Sequence, residues 1–217
     1  MTPKTFSRPA RILLGALAAA TALTACAPLL LGGAMVGGSL LAIDRRTSGA
    51  QVEDQAIELK AGKRIGDAVA DRAHVNVTSY NRQVLLTGEA ATEADKAAIG
   101  EAVGRIENVR SVVNELAIGA ASSIGGRSND TLLTSKVKAS MVDAKDVQAN
   151  AYKVVTERGI VYLMGRVTER EAGRATDISR GVSGVQKVVR VFDVVTEAEL
   201  ADVQPRAATT AASATKP

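Results

Sequence analysis

The stretch Val75-Asn-Val-Thr-Ser-Tyr-Asn-Arg-Gln-Val-Leu-Leu-Thr-Gly88 reads as a β-hairpin, and the chain contains it twice. The second copy is Tyr152-Lys-Val-Val-Thr-Glu-Arg-Gly-Ile-Val-Tyr-Leu-Met-Gly165. Apolar residues alternate along the first (Val75 and Val77, then Val84 and Leu86), the period of a half-buried strand. Asn81-Arg82 and Arg158-Gly159 break the alternation with residues that tolerate positive φ, so a tight turn is expected at each. Each hairpin ends on a glycine, Gly88 or Gly165. A glycine there permits a backbone geometry or a close contact that a side chain would forbid.

Outward from the hairpins the two copies stay in step. Thr92-Glu93 is matched by Thr168-Glu169, with one residue deleted in the second copy. Thr168 and Glu171 stand at capping-box spacing, which predicts a helix start. Closing strands follow: Ile106-Glu-Asn-Val109 corresponds to Val182-Ser-Gly-Val185, and Val112-Val113 to Val188-Val189. A further helix precedes each hairpin, roughly over Val52–Val69 and Thr131–Val142. The unit is α-β-β-α-β, used twice. The expected fold class is therefore α+β: two tandem small sandwiches, each a three-stranded mixed sheet packed with two helices.

The N-terminus has a different character. Lys4, Arg8 and Arg11 precede an apolar run from Ile12 to Leu23 that is too short to span a bilayer and has the form of an export signal. Leu23-Thr24-Ala25 then leads to Cys26, the single cysteine of the chain, which has no disulfide partner within it. Leu-Thr-Ala-Cys resembles the lipobox of bacterial lipoproteins. That resemblance implies cleavage before Cys26 and attachment of N-acyl and diacylglycerol lipid to it; an ordinary signal peptide with a free cysteine is the alternative. Ala27 at the next position implies the outer membrane, since aspartate is the residue that retains such proteins at the inner one. Ala27 to Ile43 is uncharged and apolar. Pro28 and four glycines make it a poor helix, which favours an apolar tether near the lipid surface over a second membrane span.

Charge narrows the function classes. The chain carries 27 Lys and Arg against 23 Asp and Glu. Three of the cations and none of the anions lie in the export signal, so the remainder is almost balanced and its basicity does not argue for nucleic acid. From Arg46 to Gly119 there are 9 basic and 11 acidic residues; from Arg127 to Val195 there are 12 and 8. The second unit is the one suited to an anionic surface. Absence of Trp and the presence of only two Phe leave no base-stacking platform for single strands.

The paired hairpins, their terminal glycines and the run Met164-Gly165-Arg166-Val167-Thr168-Glu169-Arg170-Glu171-Ala172 resemble the BON domain. Asp44-Arg45-Arg46-Thr47, Asn76-Val77-Thr78 and Ser128-Asn129-Asp130-Thr131 extend the match. A lipobox followed by two such units resembles the dual-BON outer-membrane lipoproteins. The organisation read from the sequence is a signal over 1–25, lipidated Cys26 with a tether over 26–45, a first BON unit over 46–119, a linker over 120–126, a second unit over 127–195, and a disordered tail over 196–217. The tail has little to bury.

No residue set supports catalysis. His74 is the single histidine and lies beside no cysteine, the Gly-Gly pairs lack the surroundings of a phosphate loop, and acidic residues alternate with basic ones as on a solvated face. No metal and no cofactor beyond the lipid on Cys26 is expected.

The helix before the second hairpin carries the candidate binding surface. Leu133, Val137, Met141 and Ala144 form its core stripe at about 100° per residue. Leu132 falls to one side and Val142 nearly opposite, with Ser135, Lys136, Lys138 and Ala139 around them. Apolar groups flanked by ammonium groups suit a surface that dips into lipid among phosphates; covering a neighbouring domain is the alternative. The resemblance implies that this helix recognises anionic phospholipid, with a tryptophan in the family at the position of Leu132. Leu132, Leu133, Ser135, Lys136, Lys138, Ala139 and Val142 are the expected lipid-binding set. The resemblance further implies support of envelope integrity at division sites and a link to outer-membrane protein assembly. Two rivals stand beside this reading: an adaptor for that assembly machinery, and a general envelope-stress protein.

Overall fold

A computed structural model describes residues 44–203; the lipobox with Cys26, the tether before Asp44 and the tail beyond Val203 lie outside the described residues. The first unit runs α1 (Ser48–Val69), β1 (Ala73–Tyr80), β2 (Gln83–Ala90), α2 (Glu93–Gly104), β3 (Ser111–Asn114) and β4 (Ala117–Ile118). The second runs α3 (Ile124–Asp143), β5 (Lys153–Glu157), β6 (Ile160–Val167), α4 (Glu169–Arg180) and β7 (Lys187–Val194), followed by α5 (Glu197–Val203).

The order within each unit is the expected one. β1 and β2 pair antiparallel with Val77 opposite Leu86, and β3 joins β2 in parallel with Val112 opposite Val84. β5, β6 and β7 repeat the arrangement, with Val188 opposite Val161. Asn81 and Arg82 both take positive φ, as do Arg158 and Gly159. This is the mirror-image turn whose twist matches a hairpin.

Each helix before a hairpin carries the same four-residue stripe. Asp54, Ile57, Ala61 and Ile65 are buried in α1; Asp130, Leu133, Val137 and Met141 are buried in α3. Alternate residues of the strands face opposite ways. Val84, Leu86 and Ala90 pack with Ile57, Ala61, Ile65, Ile99 and Val103 under the first pair of helices. Val161, Leu163 and Val167 pack with Val137, Met141 and Ala172 under the second pair. The intervening residues form a third cluster in which Tyr80 and Leu85 of the first unit meet Tyr162, Met164 and Val191 of the second. The two sheets thus stack on each other by the faces that carry no helices. The layer order is helices, sheet, sheet, helices, with α1 and α3 on opposite outer surfaces.

Four expectations are corrected. α1 begins at Ser48, not Val52, because Thr47 caps it by accepting from the Ala50 N–H at 3.1 Å. α3 begins at Ile124, inside the expected linker and seven residues before Thr131; Ser123 accepts from the Gly126 N–H at 3.1 Å and outweighs the poor propensity of Gly125-Gly126. The closing strand of the first sheet is interrupted, β4 pairing with β2 beyond the break at Glu115-Leu116, whereas β7 is continuous. Finally, the tail expected to be disordered from residue 196 starts with α5. Thr196 and Glu199 cap each other's backbone N–H groups, and Leu200 is buried.

Candidate functional site

The outer face of α3 is opposite its core stripe. Asp130 turns inward, where its carboxylate accepts from the backbone N–H of Arg158 at 2.8 Å and of Gly159 at 2.9 Å. That negative charge is therefore engaged by the hairpin tip and does not face solvent. On the outer side Leu132 is 62% exposed and Val142 68%. Ser135, Lys136, Lys138 and Ala139 lie on the same side of the helix, and all four are exposed. Among the described residues neither Lys136 nor Lys138 enters an ion pair. The Ser135 hydroxyl donates to the carbonyl of Thr131 at 3.0 Å, so it is satisfied by its own helix.

Leu133 does not belong to this surface. It is 3% exposed and lies under the chain near Gly184, where a Cβ would stand 3.4 Å from its Cδ1. Its place in the i, i+4, i+8 stripe with Val137 and Met141 makes it a core residue. The surface instead gains Ile124, 81% exposed in the first turn. At 100° per residue Ile124 and Val142 share an angular position, about 80° from Leu132. The early start of α3 brings Ile124 onto the face, which runs about 27 Å from Ile124 to Val142. The sequence signal for this is Ser123 followed by Gly125-Gly126, which reads as a loop unless the serine is weighed as a cap.

The paired glycines hold their expected places. A Cβ on Gly88 would stand 2.1 Å from the carbonyl oxygen of His74, and one on Gly165 would stand 2.7 Å from that of Ala151. His74 and Ala151 are the matching residues of the two copies, so both glycines admit the same backbone approach. Gly88 alone adds a positive φ, 109°.

His74 lies on the edge strand β1 with its Nδ1 3.5 Å from Oε2 of Glu89. Glu89 is buried in the seam between the sheets, where it also receives the Ser122 hydroxyl and faces Arg158 at 3.6 Å. Glu157, buried across the seam, accepts from Asn76 Nδ2 at 2.9 Å. Burial pushes the Glu157 carboxyl above the ordinary glutamate range, aided by the nearby charges of Glu89 and Asp130. Among the described residues no group of three potential ligands could hold a metal ion, and no helix is long and apolar enough to cross a membrane.

The profile of the BON domain matches residues 53–120 and 129–196. The chain belongs to the BON-domain family. It is 36% identical over 172 residues to the outer membrane lipoprotein DolP of Haemophilus influenzae, covering 78% of this chain and 89% of that protein. It is 32% identical over 155 residues to a 21 kDa hemolysin of Actinobacillus pleuropneumoniae, covering 70% and 80%. Identity to the osmotically-inducible protein Y of Escherichia coli is 30% over 117 residues, covering 52% and 58%. The similarity to DolP extends through both BON units and places the chain among the dual-BON outer-membrane lipoproteins.

Proposed function

We propose that this BON-domain protein is held at the outer membrane by lipid on Cys26, binds anionic phospholipid through the outer face of α3, and thereby supports envelope integrity at division sites. It does so without catalysis. One observation carries this reading: Ile124, Leu132 and Val142 are exposed on the outer half of one long helix, bordered by two lysines with free ammonium groups. Large apolar side chains left in water favour a partner that removes them from it. Lysines beside them favour an anionic one. Leucine in place of the family's tryptophan keeps apolar insertion and gives up the ring favoured at headgroup depth.

Flotation with vesicles tests the proposal. Protein carrying Cys26→Ser should bind vesicles containing phosphatidylglycerol and not vesicles of phosphatidylcholine alone, and Leu132→Glu should weaken binding about tenfold, the cost of placing one charge at an interface. Equal binding to the two vesicle types would sink it. The likeness to osmotically-inducible protein Y favours a second reading, a general envelope-stress protein. Uniform distribution around dividing cells would support that alternative.

A further inference from the structure

α3 contains two carboxylates, Asp130 and Asp143, and the fold treats them in opposite ways. Asp130 is buried and engaged by the backbone N–H groups of Arg158 and Gly159. Asp143, the last residue of the helix, is exposed and enters no ion pair among the described residues.

Its angular position places it on the lipid-facing side. Val137, fully buried, marks the middle of the core stripe. Measured from the direction opposite Val137 at 100° per residue, Leu132 lies at about 40° on one side, and Ile124 and Val142 at about 40° on the other. Lys136 and Lys138 flank this apolar strip at about 80° to either side. Asp143 falls at about 60°, on the side of Leu132 and Lys136 and inside the flanking lysines. It is the one exposed carboxylate of α3, and it follows Val142, an apolar residue of the same face.

Nothing local accounts for the charge. Partners within reach on a helix stand three and four residues away; for Asp143 these are Ser140 and Ala139, neither of them a cation. Lys136 is about 10 Å away along the axis. Lys145, just past the helix, enters no ion pair among the described residues either. A carboxylate at a helix C-terminus also meets the negative end of the macrodipole. Termination of α3 does not need it, because the last turn closes through the backbone, the Ala144 N–H donating to the carbonyl of Ser140 at 3.3 Å. The charge slightly disfavours the helix end and makes no contact in compensation. Its effect therefore falls on whatever the face meets.

We infer that Asp143 is a specificity-determining residue of the lipid-binding face: by subtracting one charge from its lysines, it restricts binding to bilayers rich in anionic phospholipid. This rests on the lipid-binding reading above. One unit of charge at an anionic membrane surface changes affinity about fivefold.

The test is flotation of the Cys26→Ser protein with phosphatidylcholine vesicles carrying a rising fraction of phosphatidylglycerol. Asp143→Asn should bind the phosphatidylglycerol vesicles about fivefold more tightly than its parent and at a lower phosphatidylglycerol fraction. It should bind vesicles of phosphatidylcholine alone no better. In about 1 M salt, where charges are screened beyond about 3 Å, the gain should vanish. Asp143→Glu keeps the charge and should behave as the parent. Asp67→Asn removes an exposed carboxylate from α1, on the opposite outer surface, and should leave binding unchanged. A gain below about twofold for Asp143→Asn, or an equal gain for Asp67→Asn, overturns the role of Asp143 and leaves lipid binding standing. A gain that survives high salt or extends to phosphatidylcholine overturns it too. If neither the parent nor Asp143→Asn binds either kind of vesicle, the lipid reading and the role of Asp143 fall together.

Discussion

Asp54 and Asp130 occupy the same place in the two repeats, three residues ahead of the first core residue of their helices, and each holds the tip of its own hairpin. Asp54 accepts from the N–H groups of Asn81 and Arg82 at 2.8 and 2.7 Å and from the Ser79 hydroxyl at 2.6 Å. Asp130 accepts from those of Arg158 and Gly159. A mirror-image turn points its N–H groups inward, and the carboxylate on the preceding helix satisfies them while tying helix to sheet.

Asp130→Ala should therefore cost about 2–4 kcal/mol, because it strands two backbone donors away from water. Urea denaturation followed by circular dichroism checks this. Asp130→Asn should cost less, since its one carbonyl oxygen still accepts. A loss below about 0.5 kcal/mol for the alanine variant would mean that the tip finds other partners.

The two glycines should respond unequally to the same change. Gly88→Ala meets both a carbonyl at 2.1 Å and a positive φ of 109°, and should lose about 3 kcal/mol or more. Gly165→Ala meets the 2.7 Å contact with no positive φ, and should lose about 1–3 kcal/mol. Thermal unfolding of the two variants gives the order directly.

Adjacent leucines on α3 should behave as opposites. Leu133→Ala empties part of the second core and should destabilise by about 2–4 kcal/mol. Leu132→Ala removes an exposed side chain and should change stability by less than about 0.5 kcal/mol. Chemical denaturation separates them without any lipid present.

Acid should act on the carboxylates in two directions. Burial would raise Asp54 and Glu171, but hydrogen bonds from Ser79, the turn N–H groups and Arg46 hold Asp54 below its ordinary value of 3.8, and Arg45 with the Thr168 N–H holds Glu171 below 4.5. Groups depressed in the folded state add stability above their unfolded values and lose it as pH falls through their folded ones. Unfolding below about pH 4 should therefore be shared by these two residues. Glu157 has the opposite sign: raised by burial, it favours the fold as it protonates and opposes it when ionised. Glu157→Gln should raise the melting temperature at neutral pH and flatten its rise on mild acidification; a lower melting temperature at neutral pH would contradict the assignment.

Features governed by local rules are legible in the sequence alone. Turn residues at Asn81-Arg82 and Arg158-Gly159, the Thr168–Glu171 cap and the glycines that end the hairpins all express interactions within a few residues, and repetition reinforces the turns and glycines. The seam is harder to read because it joins residues far apart in sequence. Its trace is Leu85-Leu86 and Tyr162-Leu163-Met164, strands apolar on both faces, which is the signature of a sheet covered twice. Helical periodicity separates Leu132 from Leu133 and puts Leu133 on the core stripe, although the expected lipid-binding set named both; burial follows the periodicity. Ile124 escapes because two glycines obscure a helix start that one serine side chain restores. Arg45 and Arg46 are visible as part of a motif, but their partners lie more than a hundred residues away for Arg45 and on a neighbouring helix for Arg46.

The stacking of the two sheets makes the repeat something other than a pair of interchangeable beads. A duplicated gene segment whose products close face to face turns each copy into the lid of the other, and later drift can place tyrosine, methionine or buried glutamate where a solitary copy would need soluble residues. Tyr80, Leu85, Tyr162 and Met164 are the residues so covered. Neither half retains the surface it would need to live alone, so loss of either should expose the other to aggregation and proteolysis.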